Sequence, residues 1–144
     1  MTKPKADKYH ILLVDDHPKF RHGIKKIIEG APKEESLILE VVGELNDGVE
    51  LVEYVKNSVP DLAILDLSMP RMGGIEAAQK VKAIRPHLKI LILTMHRNQE
   101  YLDQALSAGA EGYLLKEEAD HELLPAISAL RKGETYISNL VGSS

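Results

Sequence analysis

The stretch PDLAILDLSMPRMGG, from Pro60 to Gly74, decides how the rest of the chain is interpreted. Four consecutive apolar residues, Leu62 to Leu65, lead directly into Asp66, and a pair of glycines closes the loop before a helical pattern begins. An unbroken apolar run of this length is typical of a strand buried on both faces of a parallel sheet. Open α/β sheets bind ligands at the carboxyl ends of their strands, so Asp66 is placed for chemistry. By itself, an aspartate after a strand is also a common turn residue.

The composition is that of an ordinary globular protein, with 144 residues, 44% of them hydrophobic and 28% charged, and a net charge of −4. One domain is the default expectation at this length. The chain has no cysteine, which excludes disulfides and thiolate metal sites. No apolar run has the length of a transmembrane helix or the position of a signal peptide, so we expect a cytoplasmic protein without membrane contact. The acidic balance gives this chain no general electrostatic attraction for nucleic acid.

Short apolar runs alternate with amphipathic helical patterns along the whole chain. The predicted strands are residues 10–14, 37–42, 62–65, 89–93 and 112–115. A helical pattern follows each one, and the predicted helix starts are Pro18, Asn46 or Asp47, the residue after Gly74, Asn98 and Asp120. Strands that alternate with helices predict an α/β fold, with a five-stranded, doubly wound parallel sheet and helices on both faces. Glu40 interrupts the second run, which favours an edge strand.

The same pattern predicts the domain organisation. Residues 1–8 are expected to be a flexible N-terminal lead, because they are polar and basic. Residues 9–133 are expected to form one domain, and residues 134–144 to be a tail or the start of a linker. We expect the chain to be a domain excised from a longer protein.

Five polar residues lie where predicted strands end: Asp15, Asp16, Asp66, Thr94 and Lys116. Taken singly, each has a structural explanation, as a helix-capping aspartate, a β-branched strand end or a solvated lysine. Their joint occurrence is more informative, because the carboxyl ends of parallel strands meet at one edge of the sheet. The sequence therefore predicts three carboxylates, a hydroxyl and an ammonium group in one place.

This set of groups suits phosphoryl transfer. Clustered carboxylates repel one another at neutral pH and need a cation, and oxygen ligands select a hard ion such as Mg²⁺ or Mn²⁺. Lys116 and Thr94 can neutralise the oxygens of a transferring phosphoryl group. Asp66 is the candidate acceptor, because an aspartate that attacks phosphorus forms an acyl phosphate.

Four motifs resemble the receiver domains of bacterial two-component response regulators. They are LLVDDHP at residues 12–18, LDLSMPRMGG at 65–74, LTMH at 93–96 and GAEGYLLK at 109–116, and the resemblance covers residues 9–133. The fold that it implies is flavodoxin-like (CheY-like), with strand order 2-1-3-4-5. LTMH and the junction after the lysine most resemble the NarL/FixJ (LuxR-type) subfamily, whose output is a C-terminal helix-turn-helix.

The resemblance implies a role for each of the clustered residues. Asp66 is similar to the phosphoacceptor, which also binds the metal. Asp15 and Asp16 resemble the metal-binding acidic pair, and the backbone carbonyl of Ser68 resembles a further metal ligand. The implied cofactor is Mg²⁺, with Mn²⁺ as a substitute.

Further residues resemble the part of a receiver that reports phosphorylation. Thr94 and Lys116 are similar to the phosphoryl-sensing pair, and Tyr113 to the aromatic switch residue. The implied output surface is the fourth helix, the fifth strand and the fifth helix. The implied partners are a sensor histidine kinase, a second copy of the chain after phosphorylation, and DNA only through a C-terminal domain that these residues do not include. The chain departs from many receivers in having Glu117, not proline, after the lysine.

The two residues that directly follow Thr94, Met95 and His96, are expected to control access to the acceptor. Met95 is predicted to overhang it, and His96 is predicted to lie near the phosphoryl site. The other histidines show no metal-ligand spacing and are interpreted as solvated or capping residues. The paired glycines 73 and 74 are interpreted as a tight turn, because no GxGxxG or P-loop motif is present.

Two other classes of function share this kind of sheet. An aspartyl phosphatase would need a second carboxylate two residues after its nucleophile, where this chain has Ser68. A flavin- or nucleotide-binding module would need a phosphate-binding loop after the first strand, where this chain has carboxylates. Both classes are therefore disfavoured. The predicted function is a phosphoacceptor switch that assists its own phosphorylation and dephosphorylation and is not a conventional enzyme.

Overall fold

The computed structural model describes residues 7–32 and 37–142, which form a sheet with helices on both faces. The strands within those ranges are β1 (Asp7–Val14), β2 (Leu37–Leu45), β3 (Leu62–Leu65), β4 (Lys89–Thr94), β5 (Gly112–Leu115) and β6 (Tyr136–Ile137). The α-helices are α1 (Pro18–Glu29), α2 (Gly48–Asn57), α3 (Gly74–Ile84), α4 (Gln99–Ser107) and α5 (Ala119–Arg131). A 3₁₀ helix, Lys116–Glu118, joins β5 to α5. None of the helices described is both long enough and apolar enough to cross a membrane.

All the strands pair in parallel, in the order β2-β1-β3-β4-β5-β6. The predicted order 2-1-3-4-5 is confirmed, and β6 adds a sixth strand beside β5. Leu65, the last residue of β3, pairs with Val14 at the end of β1 and with Ile92 in β4. The register therefore places Asp15 and Asp66 directly next to each other where β1 and β3 end.

Residues of the strands alternate between two hydrophobic clusters, one on each face of the sheet. In β1, Leu12 and Val14 belong to one cluster, and Ile11 and Leu13 belong to the other. The first cluster includes residues of α2, α3 and α4, and the second includes residues of α1 and α5. All of β3 is buried, as its unbroken apolar run predicted. The fold is the doubly wound α/β sheet that the sequence predicted.

β2 lies at one edge of the sheet, as its glutamate predicted. Glu40 Oε2 lies 3.5 Å from Lys8 Nζ on β1, and both side chains are about half exposed. Charged side chains on an edge strand discourage pairing with another chain. β2 continues to Leu45, three residues beyond its predicted end, after an irregularity in its pairing with β1.

The predicted helix starts are correct for α1, α2 and α4, and α3 begins at Gly74, one residue before its predicted start. Pro18 occupies the first turn of α1. Asp47, not Asn46, is the N-cap of α2, because its carboxylate accepts a hydrogen bond of 3.0 Å from the Glu50 amide. Asn98 holds the N-cap position of α4, although its side chain makes no capping hydrogen bond.

The prediction that Asp120 caps α5 is wrong. α5 begins at Ala119, so Asp120 lies within its first turn. The preceding 3₁₀ helix runs directly into α5, and the Glu118 carboxylate accepts a hydrogen bond of 3.3 Å from the Leu115 amide. Because the backbone is already helical before α5 begins, the free amide groups of the helix start lie before residue 120. Asp120 is therefore not in a position to cap them.

The sheet extends beyond both predicted limits of the domain. β1 begins at Asp7, although the first strand was predicted from residue 10; residues 1–6 of the predicted lead lie outside the described residues. After the predicted domain end at 133, Tyr136–Ile137 forms β6, and the Ser138 amide donates to the Tyr113 carbonyl at 2.9 Å. The boundary at 133 stays a prediction, but the parallel sheet continues past it.

Candidate functional site

Asp66 is held at the end of β3 by tight backbone packing. Its amide donates to the Val14 carbonyl at 3.1 Å, and the residue is 5% exposed. The first residue of α3, Gly74, lies so close that a Cβ there would be 2.3 Å from the Asp66 carbonyl oxygen. Its amide also donates to the Leu67 carbonyl at 2.9 Å. The glycine predicted to permit a tight turn therefore allows α3 to start directly against the strand that carries Asp66.

Lys116 joins two of the carboxylates. Its Nζ lies 3.0 Å from Asp66 Oδ2 and 2.8 Å from Asp15 Oδ2, and its side chain is 10% exposed. The ammonium group also lies 4.4 Å from the centre of the Phe20 ring, within the range of a cation–π contact. Burial alone disfavours the charged amine, but the hydrogen bonds that it donates to Asp15 and Asp66 outweigh burial and raise the pKa of Lys116. Lys116 is therefore a fixed positive charge beside Asp66.

The acidic pair after β1 faces the same place. Asp15, Asp16, His17 and Asp66 each present an atom able to bind a metal, and these atoms lie within 4.8 Å of one another. Asp15 is 6% exposed as a residue, and its amide donates to the Leu45 carbonyl at 3.0 Å. Asp16 Oδ1 is buried but accepts no hydrogen bond. A buried carboxylate oxygen that accepts no hydrogen bond is a position that a cation would satisfy.

His17 was not expected at this site. Its Nδ1 is 2.9 Å from Asp15 Oδ1, 3.3 Å from Asp16 Oδ1 and 3.8 Å from Asp66 Oδ2. The sequence contained a signal for this placement, because His17 directly follows the acidic pair and directly precedes the proline that starts α1. His17 was not predicted because the histidines were judged by their spacing to one another, which is not that of metal ligands.

Thr94 is the last residue of β4, and Ser68 lies in the loop after β3, beside Asp66. Thr94 is fully buried, and its hydroxyl accepts a hydrogen bond of 3.3 Å from the His96 amide. The Ser68 amide lies 3.5 Å from Asp66 Oδ1, and its hydroxyl lies 3.1 Å from His96 Nε2. His96 thus bridges the two loops beside Asp66, whereas Met95 is 79% exposed.

Tyr113 is turned into the protein. Its side chain is fully buried, and its hydroxyl donates to the His96 carbonyl at 2.7 Å. Burial raises the pKa of Tyr113 to about 12, with smaller contributions from Tyr101 and Asp66. The His96 ring also packs against Tyr101 at a centroid distance of 4.6 Å. The tyrosine predicted to be a switch therefore contacts the loop that follows Thr94.

An ion pair that the sequence did not reveal anchors the loop between β3 and α3. Arg71 Nε lies 2.7 Å from Asp47 Oδ2, and Asp47 is 3% exposed. Burial alone would raise the pKa of Asp47, but the hydrogen bonds from Arg71 and the Glu50 amide lower it. Arg71 adopts a left-handed backbone conformation with φ of 62°, which is uncommon for a residue with a side chain. The ion pair therefore holds a strained turn of the loop that contains Ser68.

A second connection links the loops after β4 and β5. The Arg97 guanidinium forms an ion pair with the Glu117 carboxylate, next to Lys116. The carbonyl of Arg97 also accepts a hydrogen bond of 2.7 Å from the amide of Gly142, beyond β6. Residues flanking Thr94 and Lys116 are thus joined to each other and to the C-terminal segment.

A comparison with protein families identifies the family of the chain. Residues 11–128 match the model of the response regulator receiver domain. This chain belongs to the response regulator receiver domain family. Receiver domains of this family are signalling switches and not conventional enzymes.

Relatives of this receiver domain place it near the NarL/LuxR group. The transcriptional regulatory protein DegU of Brevibacillus brevis is 36% identical over 131 residues, and the nitrate/nitrite response regulator protein NarL of Escherichia coli K12 is 38% identical over 128 residues. These alignments cover 91% and 89% of this chain but 53% and 57% of the two relatives. The receiver domain therefore spans little more than half the length of these curated relatives.

A solved structure gives the same assignment. A LuxR-family two-component response regulator from Aurantimonas sp. SI85-9A1 superposes with a TM-score of 0.83 and 35% sequence identity. The match covers 92% of this receiver domain and 91% of that chain. The predicted resemblance to NarL- and LuxR-type receivers is thus confirmed.

Proposed function

We propose that this receiver domain accepts a phosphoryl group on Asp66 from a sensor histidine kinase. The observation that carries the proposal is the contact of 3.0 Å between Lys116 Nζ and Asp66 Oδ2, which fixes one positive charge beside a buried carboxylate. The phosphorus–nitrogen bond of the donor phosphohistidine breaks, and a bond forms between phosphorus and a carboxylate oxygen of Asp66. The leaving imidazole takes up one proton from solvent, so the products are an acyl phosphate on the receiver and a neutral imidazole on the kinase.

A divalent ion, Mg²⁺ or Mn²⁺, fits the acidic residues of the site. Asp15, Asp16, Asp66 and the backbone carbonyl of Ser68 would hold it, and the buried Oδ1 of Asp16, which accepts no hydrogen bond, supports a cation at this place. Oxygen ligands of this kind suit hard ions. When bound, the ion neutralises negative charge on the phosphoryl oxygens.

The residues of the chain supply the remaining charge and orientation. Lys116 is already bonded to two carboxylates, so it can follow the developing charge on the phosphoryl group with little reorganisation. Thr94 can exchange the hydrogen bond that its hydroxyl accepts from the His96 amide for one that it donates to a phosphoryl oxygen. The side chains of Met95 and His96 are the groups that limit access to the site. They therefore determine how readily the phosphodonor and water reach Asp66.

The loop after β4 passes the conformational change from the phosphorylation site to the surface of the domain. A shift of Thr94 toward the phosphoryl group would displace this loop, whose His96 carbonyl holds the Tyr113 hydroxyl. The surface formed by α4, β5 and α5 carries half-exposed apolar side chains at Tyr101 and Leu106, whereas Leu102 faces the core. We assign to this surface the pairing with a second receiver or with a C-terminal DNA-binding domain. DegU, whose name describes it as a transcriptional regulatory protein, and NarL both extend beyond the region that matches this chain, which supports an output domain in proteins of this group.

The phosphoacceptor assignment is tested by intact mass after incubation with Mg²⁺ and acetyl phosphate. Wild type is expected to gain one labile phosphoryl group, and Asp66→Asn is expected to gain none. Asp103→Asn, a change on the exposed surface of α4, serves as the matched control and is expected to be modified like wild type. Full modification of Asp66→Asn would overturn the assignment, and multiple turnover by wild type would favour an aspartyl phosphatase.

A further inference from the structure

The imidazole of His17 lies among the three carboxylates of the proposed metal site. Its Nδ1 is 2.9 Å from Asp15 Oδ1, 3.3 Å from Asp16 Oδ1 and 3.8 Å from Asp66 Oδ2. Its backbone is fixed at the N-cap position of α1, and its amide donates to Asp15 Oδ1 at 2.8 Å. The side chain is thus directed from a rigid backbone into the position that the proposed function gives to a divalent ion.

The contacts define which atom of the ring faces the carboxylates. Carboxylate oxygens accept hydrogen bonds and do not donate them, so Nδ1 must carry the hydrogen in this arrangement. Lys116 Nζ neutralises the other oxygen of Asp15, Oδ2, and the same Oδ2 of Asp66 that His17 Nδ1 approaches. An N–H donor from His17 and the ammonium group of Lys116 therefore hold the acidic cluster together.

The imidazole is an incomplete substitute for an ion. Asp16 Oδ1 remains buried without a hydrogen bond, although His17 Nδ1 is 3.3 Å away. The ring is also 60% exposed, so rotation into water breaks little packing. A divalent cation would satisfy all three carboxylates, whereas His17 satisfies only Asp15 at a normal hydrogen-bond distance.

We infer that His17 is a built-in competitor of the divalent ion at this site. In the metal-free protein its Nδ1–H occupies the place of the cation, and the ring turns outward when the ion binds. This inference rests on the proposed metal site and adds a residue that sets its affinity. The opposite role, in which the lone pair of Nδ1 binds the metal, gives opposite results in the same experiment.

The test is calorimetric titration of Mg²⁺ into wild type, His17→Ala and a matched control, His22→Ala, which removes an exposed histidine from α1. Removal of one net hydrogen bond from the competing state is expected to tighten Mg²⁺ binding by about two- to tenfold in His17→Ala. His22→Ala is expected to bind like wild type. His17→Asn provides a second variant with a good helix cap if the alanine variant does not fold.

A second readout follows the ring itself. In wild type, the imidazole resonances of His17 are expected to shift toward those of a solvated histidine as Mg²⁺ is added. The Mg²⁺ concentration at the midpoint of this shift should equal the midpoint found by calorimetry. Equal or weaker Mg²⁺ binding by His17→Ala, with wild type still binding, would overturn the inference and leave the proposed function intact. Absence of Mg²⁺ binding by wild type would overturn the proposed metal site and this inference together.

Discussion

The hydroxyl of Tyr113 donates a hydrogen bond of 2.7 Å to the backbone carbonyl of His96, two residues after Thr94. The tyrosine is fully buried in this arrangement. We propose that a second arrangement of Tyr113 becomes populated when the loop after Thr94 moves, which would make this side chain a two-state element. It connects the proposed phosphoryl-sensing residue with the surface of α4, β5 and α5.

Replacement of Tyr113 by alanine is therefore expected to uncouple phosphorylation from association. The measurement is dimer dissociation by sedimentation, with and without the beryllofluoride mimic of the phosphoryl group. Beryllofluoride is expected to strengthen dimers of wild type and to change those of Tyr113→Ala much less. An identical response of the two proteins, without NMR shifts on the α4, β5 and α5 surface, would show that the coupling is wrong.

Met95 is expected to restrict access of small phosphodonors to Asp66. The side chain follows Thr94 and is 79% exposed, so its truncation removes little buried area. Met95→Ala should raise the rate of labelling by acetyl phosphate by about twofold or more, equivalent to at least about 0.4 kcal/mol of barrier. The measurement is the time course of intact mass, and thermal unfolding checks that stability is unchanged. An unchanged or slower rate would contradict the proposed role.

Lys116→Met is expected to make the stability of the domain depend on a divalent ion. The substitution leaves the carboxylates of Asp15 and Asp66 without their ammonium partner, which costs about 1–3 kcal/mol of unfolding free energy. Mg²⁺ binds the folded state and reduces the repulsion between these two carboxylates. It should therefore stabilise the variant more than wild type. Urea unfolding of both proteins with and without Mg²⁺ measures this difference, and equal stabilisation would contradict it.

The ionisation of Tyr113 predicts loss of stability at alkaline pH. Its pKa is raised to about 12 in the folded state from 10.0, chiefly by burial. Its contribution is therefore complete below pH 10, where tyrosine is neutral in both states, and is lost as the pH rises from 10 to 12. Tyr113→Phe should reduce the slope of the stability curve in this range, measured by urea unfolding, and Tyr9 and Tyr136, whose pKa values are also raised to about 12, should keep the rest of it. A slope identical to that of wild type would show that another group governs the alkaline transition.

The left-handed conformation of Arg71 gives a prediction with a matched pair of variants. Arg71→Ala and Arg71→Gly both remove the ion pair with Asp47, but only glycine relieves the backbone strain at φ of 62°. The glycine variant should therefore be more stable than the alanine variant by about 0.5–1 kcal/mol. Chemical denaturation of the two variants decides the point, and a more stable alanine variant would mean that the turn is not strained.

The sequence predicted the fold because the signals for its central strands are strong and local. The run from Leu62 to Leu65 is buried on both faces and ends at Asp66, as its pattern required. The paired glycines 73 and 74 stand where α3 begins against the strand. The register of β1, β3 and β4 then follows from parallel pairing, which brings Asp15 and Asp66 together.

Other features depend on contacts that no local pattern records. β6 consists of Tyr136 and Ile137 alone, too short for alternation to be recognised. The direction of the His17 ring depends on carboxylates from two strands, and the buried rotamer of Tyr113 depends on the carbonyl of His96. The turn at Arg71 is held by Asp47, which is distant in the chain. Side-chain direction and long-range pairing therefore had to come from the structure.

The hydrogen bond of 2.7 Å between the Gly142 amide and the Arg97 carbonyl has a mechanical meaning. It ties the C-terminal segment to the loop that follows Thr94, close to the ion pair between Arg97 and Glu117. If phosphorylation displaces this loop as proposed, a polypeptide joined beyond the described residues would be attached next to the displaced segment. The linker that joins a further domain there would transmit the displacement of the loop. A short, stiff linker would transmit more of it to the attached domain than a long, flexible one.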